Sequence, residues 1–286
     1  MHYYEIDIFF NKKNYEQLYN VLYYNGVQHI LEEEGFLKIY IEDNLKWKIE
    51  ELRNTLTNTN IIPEKDFVIK KVENKNWNKE WEKTIEPVFI KNKIIVYPSW
   101  KKNKLKDTKD KILIEIDPKM SFGTGHNETT QIILEMMAEN LDGKEKKLLD
   151  FGSGTGILAI AAAKMGIEKV TAIEIDEISI ENAKEYFKIN ETENIRLLKS
   201  DIKELKKGNF DVICANIISG VIIENLPEIY GRLVNNGKLF ATGILKVEER
   251  DITDKLEKND FEILKKYYKA EWLGIYAIKK QPDSSN

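Results

Sequence analysis

A glycine-rich segment after an apolar run has the residue types of a cofactor-binding loop. Residues 148–156 read LLDFGSGTG, and helical spacing begins directly afterwards. Glycines at the end of a strand let the backbone approach a ligand closely, and the helix that follows offers free N–H groups. The segment therefore predicts a ligand at the end of a first parallel strand.

The spacing of these glycines separates two classes of cofactor. A nicotinamide dinucleotide site has the pattern G-x-G-x-x-G and binds a pyrophosphate, but Ile157 stands where its last glycine is required. S-adenosylmethionine has no pyrophosphate and carries a cationic sulfonium and an ammonium group, which the acidic Asp150 would suit. The loop favours this second cofactor, and we predict contacts from Asp150, Gly152, Gly154 and Gly156.

Two further carboxylates follow at the ends of the next predicted strands. Glu174 ends the second strand about twenty residues after the glycines, where an acid accepts hydrogen bonds from both ribose hydroxyls. Asp176 lies just beyond it and fits equally well as a helix cap. Asp201 ends the third strand, where it would either receive the adenine amino group or serve as a turn residue. Together these elements predict a methyltransferase that uses S-adenosylmethionine.

Two more stretches carry a resemblance to a known family. Residues 117–130 read DPKMSFGTGHNETT, and residues 216–219 read NIIS at the end of the predicted fourth strand. The sequence resembles the ribosomal protein L11 methyltransferases, whose mark is an F-G-T-G-(T/H)-x-x-T-T segment and a later Asn-Ile motif. Residues 76–81 and 97–100 look like that family's connector, so the resemblance covers nearly the whole chain.

The resemblance implies N-methylation of ribosomal protein L11, with S-adenosylmethionine converted to S-adenosylhomocysteine. The implied acceptors are lysine side chains and the N-terminal α-amine, and the N-terminal domain is expected to hold the protein substrate. Phe122 and Thr124 would lie over the cofactor, with Gly123 and Gly125 beside them. Phe122 would cover the sulfonium through the attraction of an aromatic ring to a cation. The alternative for Phe122 is a core position.

Asn216 is the candidate for positioning the attacking amine, with further cofactor contact, and Thr124 is the second predicted catalytic residue. The amine must be neutral to attack, yet a free lysine has a pKa of about 10.4. A desolvated pocket disfavours the charged form, and the amide oxygen of Asn216 could accept its N–H bonds. The motif lacks the prolines and the stacking aromatic used for flipped bases, which argues against a nucleic-acid substrate.

Other candidates have structural alternatives. His126 is a candidate general base, although family members vary there, and no Cys/His cluster has metal-ligand spacing, so no metal is expected. Trp77, Trp81 and Trp100 would either dock the substrate or anchor the connector. Two rival functions remain open, namely an N-methyltransferase with another protein or small-amine acceptor, and a non-catalytic adaptor that has kept the fold.

The elements that position these residues divide the chain in two. Residues 1–73 alternate as βαββαβ and predict a small α+β ferredoxin-like domain for substrate recognition. Residues 74–108 form a connector. Strands and helices alternate over residues 109–280, which predicts an α/β Rossmann-like class I methyltransferase domain, a doubly wound sheet with a terminal antiparallel hairpin. We expect disorder in residues 281–286.

Gly35-Phe36 in the small domain matches part of an RNA-binding signature, but Lys38 stands where its second stacking aromatic belongs. This favours a protein-docking or structural role.

Composition excludes several other classes of protein. The chain has 286 residues, 42% of them hydrophobic, and a net charge of −4, which argues against a general nucleic-acid binder. No run of about eighteen apolar residues predicts a membrane span, and the N-terminus lacks a signal-peptide pattern. Cys214 is the single cysteine, so an internal disulfide is impossible. We expect a cytoplasmic monomer.

Overall fold

The computed structural model divides the chain into a small unit, residues 1–85, and a large unit, residues 86–286. It describes residues 3–11, 14–25, 27, 30–33, 35–72, 85–117, 123–205 and 208–281. Phe122, Trp77 and Trp81 lie outside these residues, so the predictions made for them are not addressed by the structure. The same holds for residues 282–286 of the predicted tail.

The small unit packs two helices on one face of an antiparallel sheet with the strand order β2-β3-β1-β4. Its elements are β1 Tyr3–Phe9, α1 Tyr15–Tyr24, β2 Ile30–Glu33, β3 Phe36–Glu42, α2 Lys46–Asn58 and β4 Phe67–Val72. Alternate residues of the central strands, such as Ile6, Ile8, Leu37 and Ile39, are fully buried, as expected for a half-buried sheet. Leu18, Leu22, Ile49, Leu52 and Leu56 of the helices complete this core.

The opposite face of this sheet carries paired charges where an RNA-binding sheet would carry a second aromatic. Lys38 Nζ lies 3.2 Å from Glu5 Oε1 and 3.5 Å from Asp7 Oδ1, and Lys70 Nζ lies 2.8 Å from Asp7 Oδ2. Phe36 contacts Phe9 with ring centroids 5.3 Å apart. These contacts place Lys38 in an ion-pair network.

The large unit contains a sheet with the strand order β10-β9-β8-β11-β12-β14-β13. Its strands are β8 Lys147–Phe151, β9 Lys169–Glu174, β10 Ile195–Lys199, β11 Phe210–Asn216, β12 Leu233–Leu245, β13 Phe261–Lys269 and β14 Trp272–Lys279. Strands β8 to β12 pair in parallel, whereas β14 pairs antiparallel with both β12 and β13. The predicted Rossmann-like sheet with a terminal antiparallel hairpin is confirmed.

Helices cover both faces of this sheet, because successive strand residues are apolar and point to opposite sides. The helices are α3 Glu128–Asn140, α4 Ile157–Lys164, α5 Glu177–Ile189, α6 Ser219–Glu224, α7 Leu226–Arg232 and α8 Glu249–Lys258. Leu148 and Val212 pack with α3, α4 and α5, whereas their neighbours Leu149 and Ile213 pack with α6, α7 and α8. Two separate cores result, with the sheet between them.

Part of the predicted connector folds into the large unit. Strands β5 Val88–Ile90, β6 Ile94–Tyr97 and β7 Ile112–Glu115 form a small sheet in that order. Ile90, Ile94, Val96 and Ile114 are buried in the core that α3 and α4 share. None of the helices in the described part of the chain has the length and hydrophobicity to cross a membrane.

Candidate active site

A cavity of about 770 Å³ runs along the edge of the large sheet where its parallel strands end. Ligands of open α/β sheets bind in this position, outside the carboxyl ends of the strands. Five of the predicted site residues line the wall: Gly152, Gly154, Glu174, Asp201 and Asn216. Among the other described residues that line it are Glu128, Thr129, Ile173, Ser200, Ile217, Gly243, Glu271 and Trp272.

The glycine loop connects β8 to α4 in a conformation that side chains rarely adopt. Gly152, Gly154 and Gly156 have φ angles of 75°, 55° and 79°. A Cβ on Gly152 would lie 2.5 Å from Ile217 Cγ2, and one on Gly156 would collide with the ring of Phe187. Gly152 therefore keeps the loop close to the Asn216 segment, whereas Gly156 allows α4 to pack against α5.

Glu174 joins the end of β9 to this loop. Its Oε2 accepts a 2.9 Å hydrogen bond from Gly154 N, and its Oε1 accepts bonds of 2.7 Å from Ile175 N and 3.0 Å from Asp176 N. The carboxylate is half-buried on the cavity wall. Oε2 keeps a second lone pair for a ligand hydroxyl, whereas Oε1 already accepts two bonds.

The other two acids near the strand ends act as caps. Asp176 Oδ2 accepts a 2.8 Å bond from Ser179 N at the start of α5, which lowers the pKa of Asp176. Asp201 Oδ1 accepts a 2.8 Å bond from Lys203 N, and Asp201 also lines the cavity. Asp201 is thus both a turn residue and part of the wall beyond β10.

Asp150 is fully buried, and it is absent from the described residues that line the cavity. Its Oδ2 accepts bonds of 2.8 Å from Ser153 Oγ and 3.2 Å from Ala159 N, while its buried Oδ1 has no partner. Burial raises the pKa of Asp150 to about 7, and the two hydrogen bonds oppose that rise. Its carboxyl group supports the loop from behind.

The glycine loop holds the segment from Gly123 to Gly125. Thr155 Oγ1 donates a 2.6 Å hydrogen bond to Gly123 O, and a Cβ on Gly125 would lie 2.7 Å from Val96 Cγ1. Thr124 is half-buried. Among the described residues that line the cavity, Gly123, Thr124, Gly125 and Gly156 do not appear.

His126 contacts two backbone carbonyl groups. Its Nδ1 lies 3.2 Å from Thr124 O, and its Nε2 lies 3.0 Å from Glu86 O. These contacts tie the segment after the glycines to residue 86, and His126 is not among the described residues that line the cavity. The role of His126 as a general base stays a prediction.

Asn216 ends β11 at the middle of the cavity. Its Nδ2 donates a 3.3 Å hydrogen bond to Thr130 Oγ1, and its buried Oδ1 has no partner. Thr129, which is 3% exposed, also lines the cavity and carries a buried Oγ1 without a partner. Gly243 of β12 leaves room for the backbone of Ile217, which a Cβ would strike. The site thus offers an oriented amide with a free acceptor oxygen.

The sequence did not point to Glu271 and Trp272, which line the wall at the start of β14. The sequence feature that could have identified them was the predicted terminal hairpin. Because β14 runs antiparallel to β12, its first residues lie at the edge where the parallel strands end, with Trp272 opposite Leu245.

The residues on the wall fit S-adenosylmethionine. The backbone of Gly152 and Gly154 allows close approach, Glu174 offers carboxylate lone pairs, and Asn216 and Thr129 hold buried polar atoms without partners. A cavity of this size lies within the range of small-molecule sites.

Known proteins resemble this chain over most of its length. The family model described as Ribosomal protein L11 methyltransferase (PrmA) matches residues 2–280. A protein of Thermoanaerobacter pseudethanolicus named ribosomal protein L11 methyltransferase is 34% identical over 259 residues, 88% of this chain and 83% of that protein. One of the same name from Caldanaerobacter subterraneus subsp. tengcongensis is 34% identical over 236 residues, 82% of this chain and 74% of that protein.

A solved structure agrees with these relatives. The crystal structure of a ribosomal protein L11 methylase from Lactobacillus delbrueckii subsp. bulgaricus aligns with a TM-score of 0.64 at 28% identity. The alignment covers 69% of this chain and 100% of that one.

Proposed function

Because the chain belongs to the ribosomal protein L11 methyltransferase family, we propose that it methylates amino groups of ribosomal protein L11. Family membership makes it a methyltransferase dependent on S-adenosylmethionine. The proposed acceptors are lysine ε-amino groups, the N-terminal α-amino group, or both. The small unit, with residues 1–73 as its predicted domain, holds the protein substrate in this proposal.

The cofactor half of the cavity is formed by the ends of β8, β9 and β10. Glu174 would accept hydrogen bonds from the ribose hydroxyls, and Asp201 would lie beside the adenine ring. Gly152 and Gly154 would let the methionine portion approach the backbone. When bound, S-adenosylmethionine supplies a methyl group on a cationic sulfonium.

The observation that carries the proposal is Asn216, which lines the cavity at the end of β11 next to the glycine loop and has a buried Oδ1 without a partner. Its Nδ2 is held by Thr130, which leaves the oxygen to accept an N–H of the attacking amine. Removal of water from this wall disfavours the ammonium form of the acceptor, and the neutral amine keeps a lone pair for attack. Positioning of two reactants is the main task in such an in-line transfer.

The test is mass spectrometry of purified ribosomal protein L11 after incubation with the full chain and S-adenosylmethionine. We expect mass gains of whole methylene units that peptide mapping assigns to lysines or the N-terminus. Residues 86–286 alone should bind the cofactor but leave intact ribosomal protein L11 unmodified. No mass gain with the full chain, despite cofactor binding, would refute the acceptor, and equal turnover by residues 86–286 would refute substrate docking by the small unit.

A further inference from the structure

The strand order divides the cavity into two halves. Beyond Asn216 of β11, the wall continues to Gly243 of β12 and to Glu271 and Trp272 at the start of β14. Glu128 and Thr129, at the start of α3, lie on the same wall and adjoin the Thr130 that holds Asn216. We call these residues, together with Asn216, the acceptor half, because the cofactor half ends at the glycine loop of β8.

The charge of the wall is entirely negative. Its ionisable side chains, among the described residues, are Glu128, Glu174, Asp201 and Glu271, with no lysine, arginine or histidine. Glu174 and Asp201 accept backbone hydrogen bonds in the cofactor half. The side-chain carboxylates of Glu128 and Glu271 have no hydrogen bond or ion pair to any described residue, so their charges are free to act on a ligand.

Packing of α3 against the terminal hairpin brings the two elements that carry Glu128 and Glu271 together. A Cβ on Gly274 would collide with Ile132, one turn after Glu128 in α3, so helix and strand are in direct contact. Lys246 N donates a 2.9 Å bond to Glu271 O, which fixes the turn before β14. Trp272 packs its ring against the core that α3 shares.

The nearby lysines are already engaged. Lys269 Nζ donates to Gln131 Oε1 in the first turn of α3 and lies 4.0 Å from Glu135. Lys246 Nζ lies 5.8 Å from the centroid of the Tyr268 ring. A cationic ligand therefore has no described competitor at Glu271. Thr129 adds a polar atom on the same wall, since its buried hydroxyl has no partner.

We propose that Glu271 and Trp272, together with Glu128, recognise the cationic head of the acceptor side chain. The inference rests on the proposed function only in taking an amine as acceptor. Carboxylates attract an alkylammonium group as it enters, and an indole ring binds its methyl-substituted forms through the ring face. Each methylated product except the last must pass a proton to water before the next transfer. The carboxylates hold the charged form on the wall until then, and only the neutral form reaches the desolvated position beside Asn216.

The first experiment measures binding of two probes to the full chain saturated with S-adenosylhomocysteine. One probe is Nα-acetyl-trimethyllysine methylamide, which is permanently cationic, and the other is its isostere with carbon in place of the ammonium nitrogen. Neither probe can be methylated at that position, so the result does not depend on which protein is the natural substrate. We expect tighter binding of the cationic probe and a smaller preference at high salt.

The matched variants are Glu271→Gln and Glu262→Gln, because Glu262 is an exposed acid of the adjacent β13 that is not among the described residues lining the cavity. Glu271→Gln should weaken the cationic probe about threefold to fivefold, as expected for an exposed charge pair, and leave the neutral probe unchanged. Glu262→Gln should change neither. Equal affinity of both probes, no binding of the cationic probe, or equal effects of both variants would overturn the inference.

A kinetic experiment then separates this inference from the proposed function. With ribosomal protein L11 as acceptor, Glu271→Gln should raise KM about threefold to fivefold and change kcat less than twofold. A loss confined to kcat would contradict a recognition role. If the unaltered enzyme does not methylate ribosomal protein L11, the proposed acceptor fails, whereas the probe experiment still decides the role of Glu271.

Discussion

In the cofactor half of the cavity, both carboxylate oxygens of Glu174 accept backbone N–H bonds, whereas in the acceptor half the carboxylate of Glu271 has no partner among the described residues. The same contrast holds for smaller groups. Asp201 caps a turn, but the Oδ1 of Asn216 and the Oγ1 of Thr129 are buried without partners. The cofactor half is thus already ordered by hydrogen bonds within the chain, and the acceptor half keeps its acceptor atoms unpaired.

Under the proposed function, this difference follows from what each half would bind. A small cofactor of constant shape is bound best by groups that are already held in place, because little conformational entropy is then lost on binding. The proposed acceptor amine would change at every methylation, losing N–H donors one by one. Acceptor atoms that have no partner within the chain suit such a ligand, because they can bind it whether it has more or fewer N–H donors. An indole ring and carboxylates attract its charged forms at every stage of methylation.

The largest expected effect comes from removing the central acceptor, Asn216. Asn216→Ala should lower kcat about 100-fold to 1,000-fold, the usual cost of one preorganised polar group at a reacting centre. Cofactor affinity should change less than threefold, because the remaining cofactor contacts persist. Single-turnover kinetics and calorimetry measure the two quantities. The control is Asn235→Ala, an exposed position of β12, and a kcat within tenfold of the unaltered enzyme would disprove the role of Asn216.

Glu174→Ala tests the cofactor half. We expect the dissociation constant of S-adenosylmethionine to rise about 10-fold to 100-fold, since hydrogen bonds to a charged acceptor contribute about 1.5 to 3 kcal/mol each. The loop also loses the bond from Gly154 N, so part of the loss comes from reduced ordering. Calorimetry measures the affinity, and Glu193→Ala, an exposed acid before β10, is the control. Unchanged affinity with an intact circular dichroism spectrum would rule out the ribose role.

The two halves were not equally predictable from the sequence. Residues of the cofactor half lie in short motifs directly after apolar runs. Gly152, Glu174 and Asp201 could therefore be predicted before the pairing of the strands was known. The acceptor half depends on strand pairing over long distances in the chain. Glu271 reaches the cavity only because β14 inserts between β12 and β13, a register that local patterns do not specify.

Asp150 shows a second limit of motif reading. Its place two residues before the glycines suggested contact with a ligand, but the pleat of β8 decides where the side chain points. Asp150 pairs with Ala172 on one side and Cys214 on the other and shares the face of Leu148, which is packed beneath helices. A motif therefore identifies the loop without stating which face of the strand its acid occupies.

The buried carboxyl group beneath the cofactor half gives a prediction about stability and pH. Because the pKa of Asp150 is about 7 in the folded chain and near its usual value when unfolded, the folded state holds an extra proton below pH 7. The contribution of Asp150 to the stability of the fold is therefore complete at low pH, and it is lost as pH rises to about 7 and above. Between pH 6 and 8 the unfolding free energy should fall by about 1.4 kcal/mol from this group.

Asp150→Asn removes that titration while keeping an acceptor for Ser153 and Ala159. Urea denaturation without cofactor at pH 6 and pH 8 should give a smaller fall for the variant, by about 1.4 kcal/mol. The difference between the two proteins cancels the contributions of the histidines. Parallel pH dependences in the two proteins would show that Asp150 is ionised in the fold.

The smallest expected effect comes from changing Thr130, which orients Asn216. Thr130→Val keeps the buried volume but removes the 3.3 Å bond to Asn216 Nδ2, so the amide loses its fixed orientation. A neutral hydrogen bond contributes about 0.5 to 1.5 kcal/mol, so kcat should fall about threefold to tenfold. Thr130→Ser restores the hydroxyl and should recover most of the activity. If serine and valine lower kcat equally, the loss comes from packing, and the orientation of Asn216 is set by its position at the end of β11.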